Sequence, residues 1–248
     1  MVTLMAGGAV ENLGKLDTGS VDLILTSPPY NIHFNYEVYD DFLPWPDYYE
    51  WCDEWLTECY RVLADDGRML LNHRFSMGNS KDGMSYPLMH LNEIMVGIGF
   101  QHKSVVFWED VTIAKRTAWG SWLSASAPYI CSPYEGILVM YKYEWKKKKK
   151  GITKISKKEF MEGCLGVWKI SPVKGKRRNH PAPFPIGLAE RSVLLFSYEG
   201  DTVLDPFVGS GTTVVAADRH NRKGIGIDLN PRYIEAAKDW VLEDRDER

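Results

Sequence analysis

The sequence predicts an α/β protein: a single, mostly parallel twisted sheet with helices on both faces. Two observations carry the prediction. Short apolar runs of strand length alternate along the chain with longer stretches of helical periodicity. Several of those runs are apolar at successive positions, as expected of strands buried on both faces. The size agrees: 248 residues, 44% hydrophobic and 25% charged, suit one large domain or two small ones of about 100–200 residues each.

In order along the chain, a short helix leads into a strand at Val21–Leu25, which Thr26-Ser27-Pro28-Pro29-Tyr30 stops abruptly. Two prolines remove two backbone donors, so the strand ends there and a loop begins. After a polar, aromatic-rich loop (Asn31–Trp45), a helix is predicted from Pro46 to Leu63, because Tyr49, Cys52, Trp55, Leu56, Cys59 and Val62 share one apolar face. Asp65-Asp66-Gly67 reads as a turn and Arg68–Leu71 as a buried strand. A helix at Pro87–Ile98 follows, then strands at Ser104–Trp108 and Gly136–Tyr141, with polar loops around Lys115–Ser126 between them. The last third holds a helix at Ile186–Glu199, a strand at Thr202–Leu204, a glycine turn running into a helix at Gly209–His220, a strand at Gly224–Asp228 and a helix at Pro231–Leu242.

Several function classes drop out. No run of about 18 apolar residues occurs, and Met1–Val10 lacks a basic start before an apolar stretch, so neither a membrane span nor a secretory signal is expected. Cys52, Cys59, Cys131 and Cys164 have no CxxC spacing and no histidine cluster beside them. They read as buried thiols in a reducing cytoplasm, with no metal site. The net charge of −3 hides an asymmetry. Lys142–Arg178 holds 14 Lys/Arg against Glu144, Glu159 and Glu162, or +11, which leaves −14 for the remainder. Lys146, Lys147, Lys148, Lys149 and Lys150 alone read equally as a solvated loop, but with Lys174, Lys176, Arg177 and Arg178 and the nearby Trp145 and Trp168 they suggest a basic nucleic-acid-binding insert. The organisation expected is therefore 1–141 and 180–248 as two halves of one domain, with 142–179 as the insert.

Asp205-Pro206-Phe207-Val208-Gly209-Ser210-Gly211-Thr212 sits where a strand meets a helix. Glycines there let a backbone approach a ligand, and a helix N-terminus offers free N–H groups. Asp228 closes the next strand 19 residues after Gly209, the spacing at which an acid accepts hydrogen bonds from a ribose diol. The third glycine of GxGxxG and a P-loop lysine are both missing. An adenosine-bearing cofactor without phosphates fits better, and S-adenosyl-L-methionine is the obvious one.

Ser27-Pro28-Pro29-Tyr30 is either a rigid turn or a catalytic one. An exocyclic amine on a base is a poor nucleophile because its lone pair is drawn into the ring. It becomes competent when fixed oxygens accept its two hydrogens, and the Ser27 hydroxyl and Pro28 carbonyl are candidates, with Pro29 stiffening the backbone and Tyr30 stacking on the base. Transfer is then a direct in-line displacement. Methyl transfer to ring carbon needs a thiolate, commonly presented after proline, and no Pro-Cys pair occurs.

These two motifs, in this order, resemble the beta class of amino DNA methyltransferases, from about Leu4 to Leu242. Asp65–Asn72, Trp119–Trp122 with Pro133-Tyr134-Glu135, and His180 through Pro185 match more loosely. The resemblance implies a Rossmann-like methyltransferase fold in circularly permuted order, with Asp205–Thr213 as the cofactor motif and Thr26–Tyr30 as the catalytic one. It places Phe207 against the methionine part of the cofactor and Asp228 on its ribose. Ser-Pro-Pro-Tyr is similar to enzymes that methylate cytosine N4, whereas Asp-Pro-Pro-Tyr is typical for adenine N6. The function implied is site-specific methylation of cytosine N4 in double-stranded DNA by base flipping, in a prokaryotic cytoplasm. Adenine-N6 transfer, RNA as the polymer, and an inert nucleic-acid-binding protein of the same fold are the alternatives. The resemblance also admits a homodimer and a partner restriction endonuclease. Where the family often has Gly-Asp near the start, this chain reads Gly7-Gly8-Ala9, and no role is carried onto those positions.

Overall fold

In the computed structural model, all residues are described except 35, 37, 40, 80–82, 110–119, 129, 131 and 173–183. The central strand β2 (Val21–Thr26) shows how the sheet is covered. Ile24 belongs to one hydrophobic cluster and Leu23 and Leu25 to another, because successive side chains of a strand point to opposite faces. On the Ile24 side lie α1 (Ala9–Leu13), α2 (Trp45–Val62) and α3 (Pro87–Ile98). The other face carries α4 (Lys157–Gly163), α5 (Ile186–Phe196), α6 (Thr212–Arg219) and α7 (Pro231–Asp246).

The remaining strands of the main sheet are β1 (Val2–Ala6), β3 (Leu63–Arg74), β6 (Gln101–Glu109), β7 (Tyr134–Tyr141), β8 (Val167–Lys169), β9 (Thr202–Asp205) and β10 (Lys223–Asp228), while β4 (Met77–Asn79) and β5 (Gly83–Ser85) form a separate hairpin. The main sheet runs β1-β10-β9-β2-β3-β7-β6-β8, and β7 alone among these eight is antiparallel to its neighbours. Neighbours β9 and β2 send their connections in opposite directions: β9 continues through α6 to β10, and β2 through α2 to β3. A crevice opens outside the carboxyl ends of two such strands, and ligands bind there in open α/β sheets.

α2 begins with Pro46 in its first turn, where a missing N–H costs nothing. Its fully buried face includes Tyr48, Cys52, Trp55, Leu56, Cys59 and Val62, with Tyr49 only half-buried. The expected turn at Asp65-Asp66-Gly67 is instead a bulge inside β3: Val21 pairs Leu63, but Leu23 pairs Arg68. β1, α4, β8 and the β4–β5 hairpin were not predicted. Each is short, and the two main-sheet strands are its two edges.

The stretch from 142, expected as an insert, packs directly on the main sheet. Tyr143 and Glu144 donate their N–H groups to the Asp65 carbonyl, the Lys142 ammonium is buried against the Leu63 carbonyl at 2.9 Å, and Arg68 donates to the Trp145 carbonyl at 2.6 Å. Lys147, its side chain 8% exposed, pairs with Asp201 at 2.6 Å and Asp22 at 3.4 Å. Both aspartates stand at the starting ends of parallel strands, so Lys147 lies at the opposite end of the strands from the crevice. Beyond it, Ser156 and Glu159 form a reciprocal cap for α4, and β8 adds a strand to β6 with Trp168 fully buried. These residues complete the main sheet. Lys174, Lys176, Arg177 and Arg178 fall outside the described residues.

Candidate active site

Asp205 ends β9 and Thr26 ends β2, and the two are bonded across the crevice floor. The Asp205 carboxylate accepts from Thr26 Oγ1 at 2.8 Å, Thr213 Oγ1 at 2.6 Å and the Phe207 N–H at 3.0 Å. Burial pushes its carboxyl up to about 6, and those three donors work against the rise. Asp205 therefore locks the cofactor motif to the catalytic strand from behind. In the turn after it, Gly209 (φ 50°) and Gly211 (φ 101°) adopt left-handed backbone. A Cβ on Gly211 would lie 2.9 Å from the Ala237 Cβ of α7, so helix packing as well as backbone conformation requires this glycine. Ser210 and Thr212 are buried. The Gly209 N–H donates to Asp228 Oδ2 at 2.9 Å and the Asn230 N–H to Oδ1 at 2.8 Å, which aims the half-buried carboxylate at the end of β10.

A cavity of about 260 Å³ fills the crevice, and both motifs wall it: Ser27, Pro28, Pro29 and Tyr30 on one side, Pro206, Phe207 and Asp228 on the other. Of the eight residues expected to hold a cofactor, these last three reach the cavity; Asp205, Gly209, Ser210, Gly211 and Thr212 support them. Gly8 also lines it, and a Cβ there would meet nothing within 4 Å. The cradle suits a nucleoside cofactor without phosphates: a carboxylate beside an aromatic ring and, among the described lining residues, Arg74 as the single cation. Phe207 is wedged between Trp51 and Trp55 of α2, with ring centroids 5.4 and 5.0 Å away.

The catalytic loop is held from below. Tyr48 donates to the Pro29 carbonyl at 2.8 Å and touches His73 Nε2 at 3.1 Å. His73 is kept neutral because burial drives its pKa down to about 3. Tyr30 lies on the His73 ring, centroids 4.3 Å apart, and its hydroxyl meets Ser27 Oγ, Asn72 Nδ2 and Glu135 Oε2 at 2.9, 2.7 and 2.8 Å. Burial first, then Glu135, holds the Tyr30 phenol well above its usual pKa. Downstream, Asp41 accepts from the N–H groups of Asn31, Ile32 and Phe34, while Asn31 exchanges two hydrogen bonds with Leu43. Asn31 is thus a loop staple.

The DNA methylase family matches residues 21–239 of this chain. The chain belongs to that family. Type II methyltransferase M.HpaI of Haemophilus parainfluenzae is 34% identical over 95% of this chain and 73% of its own length. The DNA adenine methyltransferase YhdJ of Escherichia coli is 30% identical, over 94% and 80%. Among solved structures, the putative DNA modification methylase TTHA0409 of Thermus thermophilus, in complex with S-adenosyl-L-methionine, superposes with a TM-score of 0.78 at 28% identity, covering 98% of this chain and 94% of that one. The fold is also that of the cytosine-N4-specific PvuII DNA methyltransferase, with a TM-score of 0.75 at 19% identity over 99% and 92%. This DNA methylase is an S-adenosyl-L-methionine-dependent enzyme.

Further aromatic and charged side chains surround this DNA methylase's cavity. Phe34, Tyr36 and Tyr39 all line it, whereas His33 is exposed and packs on Phe42. Arg74 lines it too; Trp119, in a segment that matches the family loosely, lies outside the described residues. Cys52 and Cys59 are buried away from the cavity with thiols raised by burial, Cys164 is exposed against expectation, and Cys131 is not described. Among the described residues no cluster forms a metal site, and no helix is long and apolar enough to cross a membrane. Asn72 and Glu135 were not expected to act. The available signal was topological: Asn72 lies near the end of β3, beside β2, and Glu135 near the start of antiparallel β7, so both reach the crevice edge.

Proposed function

We propose that this enzyme methylates the N4 amine of cytosine in a specific duplex DNA sequence, taking the target base out of the helix into the cavity. One observation carries the proposal: Ser27–Tyr30 and the Phe207–Asp228 pair face each other across one cavity. S-adenosyl-L-methionine, when bound, supplies a methyl group made electrophilic by its sulfonium. The chain's residues then do four things. Asp228 accepts hydrogen bonds from the ribose. Phe207, fixed by two tryptophans, packs against the methionine side. Ser27 Oγ and the Pro28 carbonyl, which carries no hydrogen bond among the described residues, accept the two amine hydrogens and turn the nitrogen lone pair toward the methyl. Tyr30, braced by His73, offers its other ring face to the base. All of this is positioning by preorganised groups.

Arg74 supports cytosine. It puts a guanidinium on the wall that holds the Ser27 acceptor, and cytosine presents an amine donor beside two acceptors, N3 and O2. Adenine has a C–H where cytosine has O2. The adenine-N6 reading rests on the relation to YhdJ. The test is incubation with unmethylated plasmid DNA and labelled S-adenosyl-L-methionine, followed by digestion to nucleosides and mass analysis. N4-methylcytosine is expected; N6-methyladenine establishes the second reading, and binding without incorporation leaves an inert module.

A further inference from the structure

Three side chains, two from the catalytic motif and one from β7, form a hydrogen-bonded line leading away from the reacting edge of the cavity. Ser27 Oγ lies 2.9 Å from Tyr30 Oη, and Tyr30 Oη lies 2.8 Å from Glu135 Oε2. Asn72 Nδ2 braces the middle, donating to Tyr30 Oη and to Glu135 Oε2, each at 2.7 Å. Arg74 Nε stands 3.5 Å from Glu135 Oε1. The polarity of the line follows from what each group can do. An ionised carboxylate only accepts, so the single Tyr30 hydrogen points at Glu135. Tyr30 Oη must then accept from Ser27, which commits the Ser27 hydrogen and leaves the Ser27 lone pairs turned to an incoming N–H. A neutral serine wired in this way to a carboxylate is a stronger acceptor than an isolated hydroxyl.

We infer that Glu135, acting through Tyr30 and Ser27, is the terminal acceptor of the proton that the target amine gives up. The inference rests on the amine-methylation reading above. As the nitrogen–methyl bond forms and the carbon–sulfur bond breaks with its electron pair left on sulfur, the nitrogen carries one proton too many. That proton passes to Ser27 Oγ, the Ser27 proton to Tyr30 Oη, and the Tyr30 proton to Glu135 Oε2. Ser27 and Tyr30 end as they began and Glu135 ends as a neutral acid. Its side chain is 20% exposed, which opens a route for release to water. Glu135 is a positioning and proton-receiving residue; Ser27 is the group that touches the amine.

The test is single-turnover methyl incorporation into plasmid DNA by the full chain and by Glu135→Gln, Tyr30→Phe and the double variant, with S-adenosyl-L-methionine affinity measured by calorimetry. Each single change is expected to slow transfer at saturating cofactor by about 100-fold, with cofactor affinity held within about twofold. The double variant should be no slower than the slower single, because a line already cut cannot be cut again. Multiplying losses, an unchanged rate in Glu135→Gln, or a loss of cofactor affinity that accounts for the slowing would each overturn the relay. Should Glu135→Gln not fold, Tyr30→Phe in a Ser27→Ala background serves instead: no further slowing supports the relay and further slowing refutes it. A complete lack of incorporation by the unsubstituted chain defeats the methylation reading itself, which separates that failure from failure of the relay alone.

Discussion

Asp228 carries a role readable from spacing and a geometry that was not. Its position 19 residues after Gly209 points to a ribose, and in the fold two backbone N–H groups orient the carboxylate toward the cavity. Asp228→Ala removes the acceptor while leaving β10 paired on both sides. Calorimetric affinity for S-adenosyl-L-methionine should fall by about 10-fold or more, the worth of a hydrogen bond to a charged group; unchanged affinity would remove the ribose assignment. Asp205 shows the opposite case. It belongs to the same motif, yet it faces Thr26 and Thr213 and not the cavity. A motif names the residues a site needs but not which of them touch the ligand, because a supporting acid and a contacting acid look alike in one dimension. Asn72 and Glu135 stand in segments that match the family loosely, but their pairing with Tyr30 was illegible for a related reason. Each meets Tyr30 across more than forty positions of chain.

At the scale of elements, periodicity served best where an element is long and amphipathic. α2 and α3 fall within a residue of their expected limits. It failed for β8, three residues long, and for the bulge in β3, where a turn-like Asp-Asp-Gly stays within the strand. The lysine run shows what composition leaves open. Composition treats five adjacent lysines as equivalent, whereas the fold buries the Lys147 ammonium between Asp22 and Asp201. With parallel strands rising about 3.3 Å per residue, the run sits roughly 20 Å from the crevice. Replacing Lys146, Lys149 and Lys150 with glutamine should therefore leave the salt dependence of DNA binding unaltered, since no phosphate contact is lost. A flatter slope in a filter-binding titration would restore those lysines to the DNA face. Lys147→Ala, in contrast, should cost about 1–3 kcal/mol in urea unfolding, because it strands two partly buried carboxylates.

For the whole molecule, stability and site share one joint. Asp205 ties β9, α6 and β2 together, and its carboxyl is raised from 3.8 to about 6 by burial. The folded state therefore holds this proton more tightly than the unfolded chain does, and between about pH 4 and 6 the group makes stability fall as pH rises. Urea unfolding of the unsubstituted chain and of Asp205→Asn should show the stability difference shifting by up to about 3 kcal/mol over that interval, then levelling. A difference constant across it would show that Asp205 titrates normally. By itself the sequence determined the class of fold, the two motifs and the kind of cofactor, because apolar periodicity, paired prolines and a strand–glycine–helix junction are written in neighbouring residues. Only the tertiary structure decided which motif residues face the cavity, that a tyrosine links a serine to a glutamate, and that Lys147 pairs with two aspartates at the starting ends of the strands. Those facts depend on strand order and side-chain direction, which arise when segments distant in the chain pack together.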